Sequence, residues 1–176
     1  MGVSKIDERL FGKIDYKRAR YVFHPDYAVR QALFVDSKAE AFSGRATATL
    51  RTAQTSMRIR HVRSGRNIDE TGKLPTVLET SAGKFLITTI FVKYNYRGLA
   101  PGKYELADIT VAALPNGMLQ EVYNPTADAT IWRAGRNAPT RGEPFRVRLV
   151  FRLLEQKKGW RVQTIPRPPE RFTWKD

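Results

Sequence analysis

Residues 12 to 40, GKIDYKRARYVFHPDYAVRQALFVDSKAE, constrain the chain more than any other stretch. Two runs rich in apolar and β-branched residues flank a turn signal, His24-Pro25-Asp26, and this pattern predicts an antiparallel hairpin. With the reversal between Pro25 and Asp26, Asp15 lies as far before the turn as Asp36 lies after it, so the two aspartates are expected to face each other. Side chains alternate along a strand, which sets Asp36 and Lys38 on one face and Leu33 and Val35 on the other. Carboxylates opposed on paired strands repel, and a divalent cation between them removes that penalty. Oxygen donors of this kind suit Mg²⁺, and a lysine beside them can orient an attacking water or stabilise charge on a phosphate. The arrangement fits phosphodiester cleavage. A surface hairpin with solvated Asp and Lys has the same spelling, and D-x-K is a common string; the second aspartate in register is what favours a site.

The charge balance narrows the partner. A net charge of +14 on 176 residues, with a pI near 10.4, creates a field that draws in phosphate backbones, so nucleic acid is favoured over membrane. No apolar run approaches the ~20 residues of a membrane span, and the start MGVSKIDERLF matches neither a signal peptide nor a myristoylation site. The expected protein is soluble and cytoplasmic. With no cysteine and two histidines, His24 and His61, thiol chemistry and Cys-ligated zinc are excluded and a His-based site has little room. Carboxylates, lysine and a hard metal remain. The length suits a single domain over 1–176, with a short lead-in at 1–11 and a Pro-rich tail at 166–176.

Further along, Ala46, Leu50, Ala53 and Met57 recur at helical spacing and predict an amphipathic helix, with Arg45, Arg51 and Arg58 on its other face. Glu40, at the exit of the Asp36 strand, is a minor candidate for the metal neighbourhood. Residues 60 to 84 read as loop with weak strand or hairpin character. Phe85 to Tyr96 is the most hydrophobic stretch, expected as a central strand buried on both faces, then a turn over 97–102 and a strand from Tyr104 to Leu114. Trp132 lies in a predicted loop and suits either exposure or core. Residues 145 to 153 alternate Phe145, Val147, Leu149, Phe151 and Leu153 against Arg146, Arg148 and Arg152, an expected strand with an arginine ladder. Such a ladder can read guanine in the major groove, or it can simply be a solvated basic face. Residues 160 to 165 predict a last strand, and the tail PRPPERFTWKD is expected to be extended.

The residues also resemble a known family. Asp15 with Asp36-Ser37-Lys38 is similar to the PD-(D/E)XK nuclease core. The blocks IDYKR (14–18), FVDSKA (34–39), TLRTAQTSM (49–57), TTIFVKYNYR (88–97), ALP (113–115), YNP (123–125), AGR (134–136), RGE (141–143) and RVRLVF (146–151) resemble, in this order, the SfiI type II restriction endonucleases. Family members carry a helical segment ahead of the IDYKR block, where this chain has a short stretch. The resemblance implies an α/β fold: a PD-(D/E)XK restriction-endonuclease-like mixed sheet with an antiparallel catalytic hairpin, flanking helices and an added β region for DNA recognition. It implies Mg²⁺-dependent cleavage of double-stranded DNA at an interrupted GC-rich palindrome with GGCC-type half-sites. Asp15, Asp36 and the Ser37 carbonyl would hold the metal, Lys38 would act on the attacking water, and Arg136, Arg141, Arg146 and Arg148 would contact DNA. A homo-oligomer, dimer or tetramer, is expected because a palindrome mirrors two-fold symmetry. A cognate DNA methyltransferase in the same system is compatible with this reading. A PD-(D/E)XK nuclease of relaxed or structure-based specificity, and a non-catalytic DNA- or RNA-binding protein, stay open as alternatives.

Overall fold

The computed structural model describes residues 13–14, 17–22, 30–41, 46–135 and 146–175, the first two segments as backbone only. Twelve strands are described: β1 (Lys13–Ile14), β2 (Lys17–Val22), β3 (Gln31–Ala41), β4 (Thr47–Leu50), β5 (Ile59–Arg63), β6 (Arg66–Glu70), β7 (Val77–Thr80), β8 (Gly83–Ala100), β9 (Lys103–Leu114), β10 (Trp132–Ala134), β11 (Val147–Val150) and β12 (Val162–Pro166). Two short helices, α1 (Gln120–Tyr123) and α2 (Phe151–Lys157), flank them. The main sheet runs β1-β2-β3-β8-β9-β12, with β7 also paired to β8. Among the described residues only the β3–β8 pairing in it is parallel, so the sheet is mixed, as expected. A three-stranded sheet, β10-β11-β4, and the β5–β6 hairpin complete the β structure.

β8 is the spine. Phe85, Ile87, Thr89, Phe91, Lys93 and Asn95 alternate onto one face and are all buried, while Leu86, Thr88, Ile90 and Val92 on the other face are only half-buried. The expected strand is therefore present and longer, running through positions 97 to 100, but it is closed to solvent on one face only. The three-stranded sheet joins the core on this buried face: Ala48, Leu50, Val147, Leu149 and Trp132 cluster with Phe91, Ala112, Leu114 and Val162. Each fully buried Leu, Val or Phe there contributes about 1.5–3 kcal/mol over an exposed one. Trp132, 2% exposed, is core.

Four expectations are corrected. The predicted helix over Ala46–Met57 is β4 followed by a 3-10 turn at Thr52–Gln54. Leu50, Ala53 and Met57 are buried as expected, but the Thr-Ala-Thr-Leu run alternates and is rich in β-branched residues, so it pairs with β11 instead. The arginine-ladder strand ends at Val150. The next residues, Phe-Arg-Leu-Leu-Glu-Gln-Lys, are mostly straight-chain helix formers, and Phe151 and Leu154 bury at helical spacing, leaving Arg152 exposed on α2 and outside the ladder. The tail holds a 3-10 turn at Pro169–Arg171, and Lys175 exchanges hydrogen bonds with the Gln163 side chain.

The fourth correction concerns the hairpin register. β2 and β3 are antiparallel, as predicted, but a reversal between Pro25 and Asp26 would oppose Val22 to Val29, whereas Val22 meets Ala32. β3 is paired along its whole length with β8, from Gln31↔Leu86 to Ala41↔Tyr96, so burial in the sheet interior sets its register. The predicted first strand is also split: β1 and β2 pair with each other, Ile14 opposite Lys17. Direct opposition of Asp15 and Asp36 does not follow from this register, and Asp15 itself lies outside the described residues.

Candidate active site

β3 carries Ala32, Phe34, Asp36, Lys38 and Glu40 on one face. The first two are buried against Phe85, Ile87 and Leu74, which anchors the strand and delivers the three polar residues beyond them to the sheet's far half. Lys38 Nζ lies 2.7 Å from Asp36 Oδ2, and the lysine side chain keeps a fifth of its surface exposed. The same ammonium stands 5.3 Å from the Phe91 ring centroid, close enough for attraction to the ring face. The expected Asp36–Lys38 pairing on one face is thus present. Ser37 points away from it and is exposed.

Gln54 was not foreseen. Its Nε2 donates to Asp36 Oδ2 at 2.7 Å, while its Oε1 accepts the Arg51 backbone N–H at 2.7 Å. The second bond fixes which end of the amide faces the aspartate, so Asp36 meets a donor. The side chain is 2% exposed. A glutamine in a 3-10 turn leaves no local signal of such a role.

Lys93 was also missed, although a lysine inside FLITTIFVKYNY is a signal, since a buried ammonium requires partners. It is fully buried, 3.0 Å from Glu40 Oε2, and donates to the Thr47 carbonyl. Burial pushes its pKa down, Glu40 opposes that shift and Arg148 adds to it. Glu40, the minor metal candidate, is held by Lys93. Nearby, buried Asn95 donates to Asp108 Oδ1 at 2.6 Å and to Thr110 Oγ1 at 3.0 Å.

The arginines divide. Arg148 Nη1 donates to Thr47 Oγ1 at 2.6 Å, so its head is tied to β4. Arg146 is half-buried where β11 begins, its carbonyl accepting the Gly135 N–H at 2.8 Å. A Cβ at Gly135 would stand 2.7 Å from that carbonyl oxygen, so glycine is required for this approach. Arg136 and Arg141 lie outside the described residues. Among the described residues no three His, Cys, Asp or Glu side chains cluster as a metal site.

A family model for Type II restriction enzyme SfiI matches residues 1–165. The Type II restriction enzyme SfiI of Streptomyces fimbriatus is 35% identical over 168 residues, which cover 91% of this chain and 62% of that protein. The crystal structure of tetrameric restriction endonuclease SfiI bound to cognate DNA aligns with a TM-score of 0.73 at 32% identity, over 92% of this chain and 63% of that one. That of the restriction endonuclease BglI bound to its DNA recognition sequence aligns with a TM-score of 0.64 at 21% identity, over 78% and 54%, a likeness of fold alone. The chain therefore spans a little under two thirds of the SfiI relative's length. With the mixed sheet, the Asp36–Lys38 pair and a family match over nearly all of its residues, the chain belongs to the SfiI family of type II restriction enzymes.

Proposed function

We propose that this protein is a site-specific deoxyribonuclease that hydrolyses phosphodiester bonds in double-stranded DNA and depends on Mg²⁺. The observation that carries this reading is the Asp36–Lys38 pair on β3, set in a chain of the SfiI family. Carboxylate and main-chain oxygens, with no thiol in the chain, are the donor chemistry a hard divalent cation takes. Asp15, Asp36 and the Ser37 carbonyl would hold it, and when bound it would supply Lewis-acid stabilisation of charge on the phosphate. Lys38 does the work nearest the attacking water. Its ammonium, partly exposed and steadied by Asp36, orients that water and offsets negative charge as the water oxygen bonds to phosphorus, losing its proton to solvent, and one P–O ester bond breaks, its leaving alkoxide taking a proton from solvent. Gln54 keeps the Asp36 carboxylate in one orientation while this happens.

The net charge of +14 supports the polyanionic partner. Arg136, Arg141, Arg146 and Arg148 are the proposed DNA contacts, and an interrupted GC-rich palindrome with GGCC-type half-sites is the proposed target. A symmetric site calls for a symmetric assembly, so we propose a dimer or tetramer; the SfiI relative was crystallised as a DNA-bound tetramer. No helix among the described residues is long and apolar enough to cross a membrane, and a cytoplasmic enzyme working beside a cognate DNA methyltransferase fits this reading.

The test is incubation of the purified protein with long, unmethylated, GC-rich DNA in Mg²⁺ and in chelator, with every end sequenced. Ends sharing one interrupted palindrome, formed only with Mg²⁺, are expected. Scattered ends would replace site specificity with general nuclease activity, and intact but retained DNA would make the chain a binding protein.

A further inference from the structure

We infer that the segment 47–54, β4 and the 3-10 turn after it, couples the arginine-bearing strand β11 to the catalytic strand β3, with Lys93, Thr47 and Gln54 as positioning residues. The inference rests on the DNA-cleaving reading above and adds how recognition reaches the reacting groups.

β4 lies against β11 in register, Thr49 opposite Arg148 and Thr47 opposite Val150. Thr47 is bonded on two sides: its hydroxyl oxygen accepts from Arg148 Nη1 at 2.6 Å, and its carbonyl accepts from Lys93 Nζ at 2.5 Å. That ammonium pairs with Glu40, two residues beyond Lys38 on the same face of β3. At the segment's other end, Gln54 bonds the oxygen of Asp36 that also meets Lys38. One stretch of chain thus holds the polar part of β3 at both ends, and its Thr47 end is fastened to an arginine of the proposed DNA-reading strand.

Stability alone does not call for this arrangement. Burying an ammonium is expensive, and replacing a whole buried ion pair by apolar side chains of similar volume is commonly neutral or stabilising. Lys93 follows Ile87 and Phe91 on the same buried face of β8, so an aliphatic residue would suit its surroundings. What an ion pair and a hydrogen bond add is direction: a displacement of Arg148 on binding DNA is transmitted through Thr47 to Lys93, and from there to Glu40 and the strand bearing Lys38.

The experiment compares the full-length wild type with Lys93→Met, Thr47→Val, Thr47→Ser and Gln54→Leu. Binding of a cognate duplex and of a duplex with one base pair changed is measured in chelator, single-turnover cleavage of both in Mg²⁺, and thermal melting of each protein. Coupling predicts that Thr47→Val and Lys93→Met bind cognate DNA within ~3-fold of wild type, cleave it ~100-fold more slowly, and lose ~10-fold in cognate-to-mismatch cleavage ratio. Thr47→Ser, which keeps the hydroxyl, restores both quantities. Should Lys93→Met fail to fold, Gln54→Leu tests the other clamp with the same expected pattern. Cleavage and discrimination at wild-type levels in Thr47→Val and Gln54→Leu would overturn the inference, as would losses in cleavage that only follow losses in binding or melting temperature. A wild type that binds DNA but cleaves none would instead bring down the proposed function itself, and the coupling with it.

Discussion

Lys38 and Lys93 are register partners on adjacent parallel strands, yet they occupy opposite environments. Lys38 stands at the rim, partly exposed, with Asp36 two residues before it on its own strand; Lys93 is sealed in the core with Glu40 across the strand boundary. Like charges side by side in a sheet are unfavourable, and here each is neutralised by its own carboxylate. In the proposed mechanism the exposed one serves the chemistry and the buried one the positioning.

Lys38→Ala is expected to slow cleavage by ~10²–10⁴-fold and to leave binding of cognate DNA in chelator nearly unchanged, because it removes the group proposed to act on the water without touching the proposed base contacts. Rates under single-turnover conditions decide this. Cleavage at the wild-type rate would take Lys38 out of the mechanism.

Arg146, just ahead of β11, and Arg148, within it, are expected to behave differently. Arg146→Ala should weaken cognate binding by ~1–3 kcal/mol and non-cognate binding much less, with little change in melting temperature. Arg148→Ala removes the hydrogen bond to Thr47 Oγ1 as well, so melting temperature should fall along with specificity. Binding titrations on cognate and scrambled duplexes, beside thermal melts, separate the two. Equal loss on both duplexes for Arg146→Ala would make it a backbone-phosphate contact.

His61 provides a pH dependence. It is 1% exposed, and burial lowers its pKa below the usual 6.5, ahead of the smaller opposing effect of the Val62 carbonyl. The unfolded chain then takes up a proton near pH 6.5 that the native state resists, so this residue's contribution to stability is present above 6.5 and is lost as pH falls through that range. Between pH 7.5 and 5.5 the wild type should lose more stability than His61→Gln, as read by chemical denaturation at each pH. Parallel losses would remove His61 as the cause.

Asn116 is a joint away from the chemistry. Its Nδ2 donates to the carbonyls of Thr76 and Ile87, both at 2.8 Å, and its Oδ1 accepts the Met118 N–H at 2.9 Å. Asn116→Ala should cost about 2 kcal/mol in urea unfolding, since it breaks three bonds at a largely buried site. Cleavage at temperatures well below the melt should stay close to wild type, unlike that of Lys38→Ala and Thr47→Val.

Much of this was readable from local pattern. Alternation put Asp36 and Lys38 on one face of β3, the long apolar run marked β8, and the run before Pro115 marked β9, because side-chain period is a property of each strand alone. The ordered motifs carried the family. Where two segments competed, the pattern misled: Ala46 to Met57 has helical spacing in its largest apolar residues, but β11 offers an edge to pair with and the Thr-Ala alternation takes it. Residues 151 to 153 continue the alternation on paper, yet the intrinsic preference of 151 to 157 turns them into α2.

Register, burial of charge and the far end of each long side chain belong to another level. That Val22 meets Ala32, that Gln54 reaches Asp36, and that Arg148 is tied down while Lys93 goes under Thr47 all depend on contacts between segments tens of residues apart. Spacing along a chain specifies which face a residue takes; only packing one sheet against the other specifies what that face meets, because the burial energy that selects a register is shared among strands and is written in none of them singly.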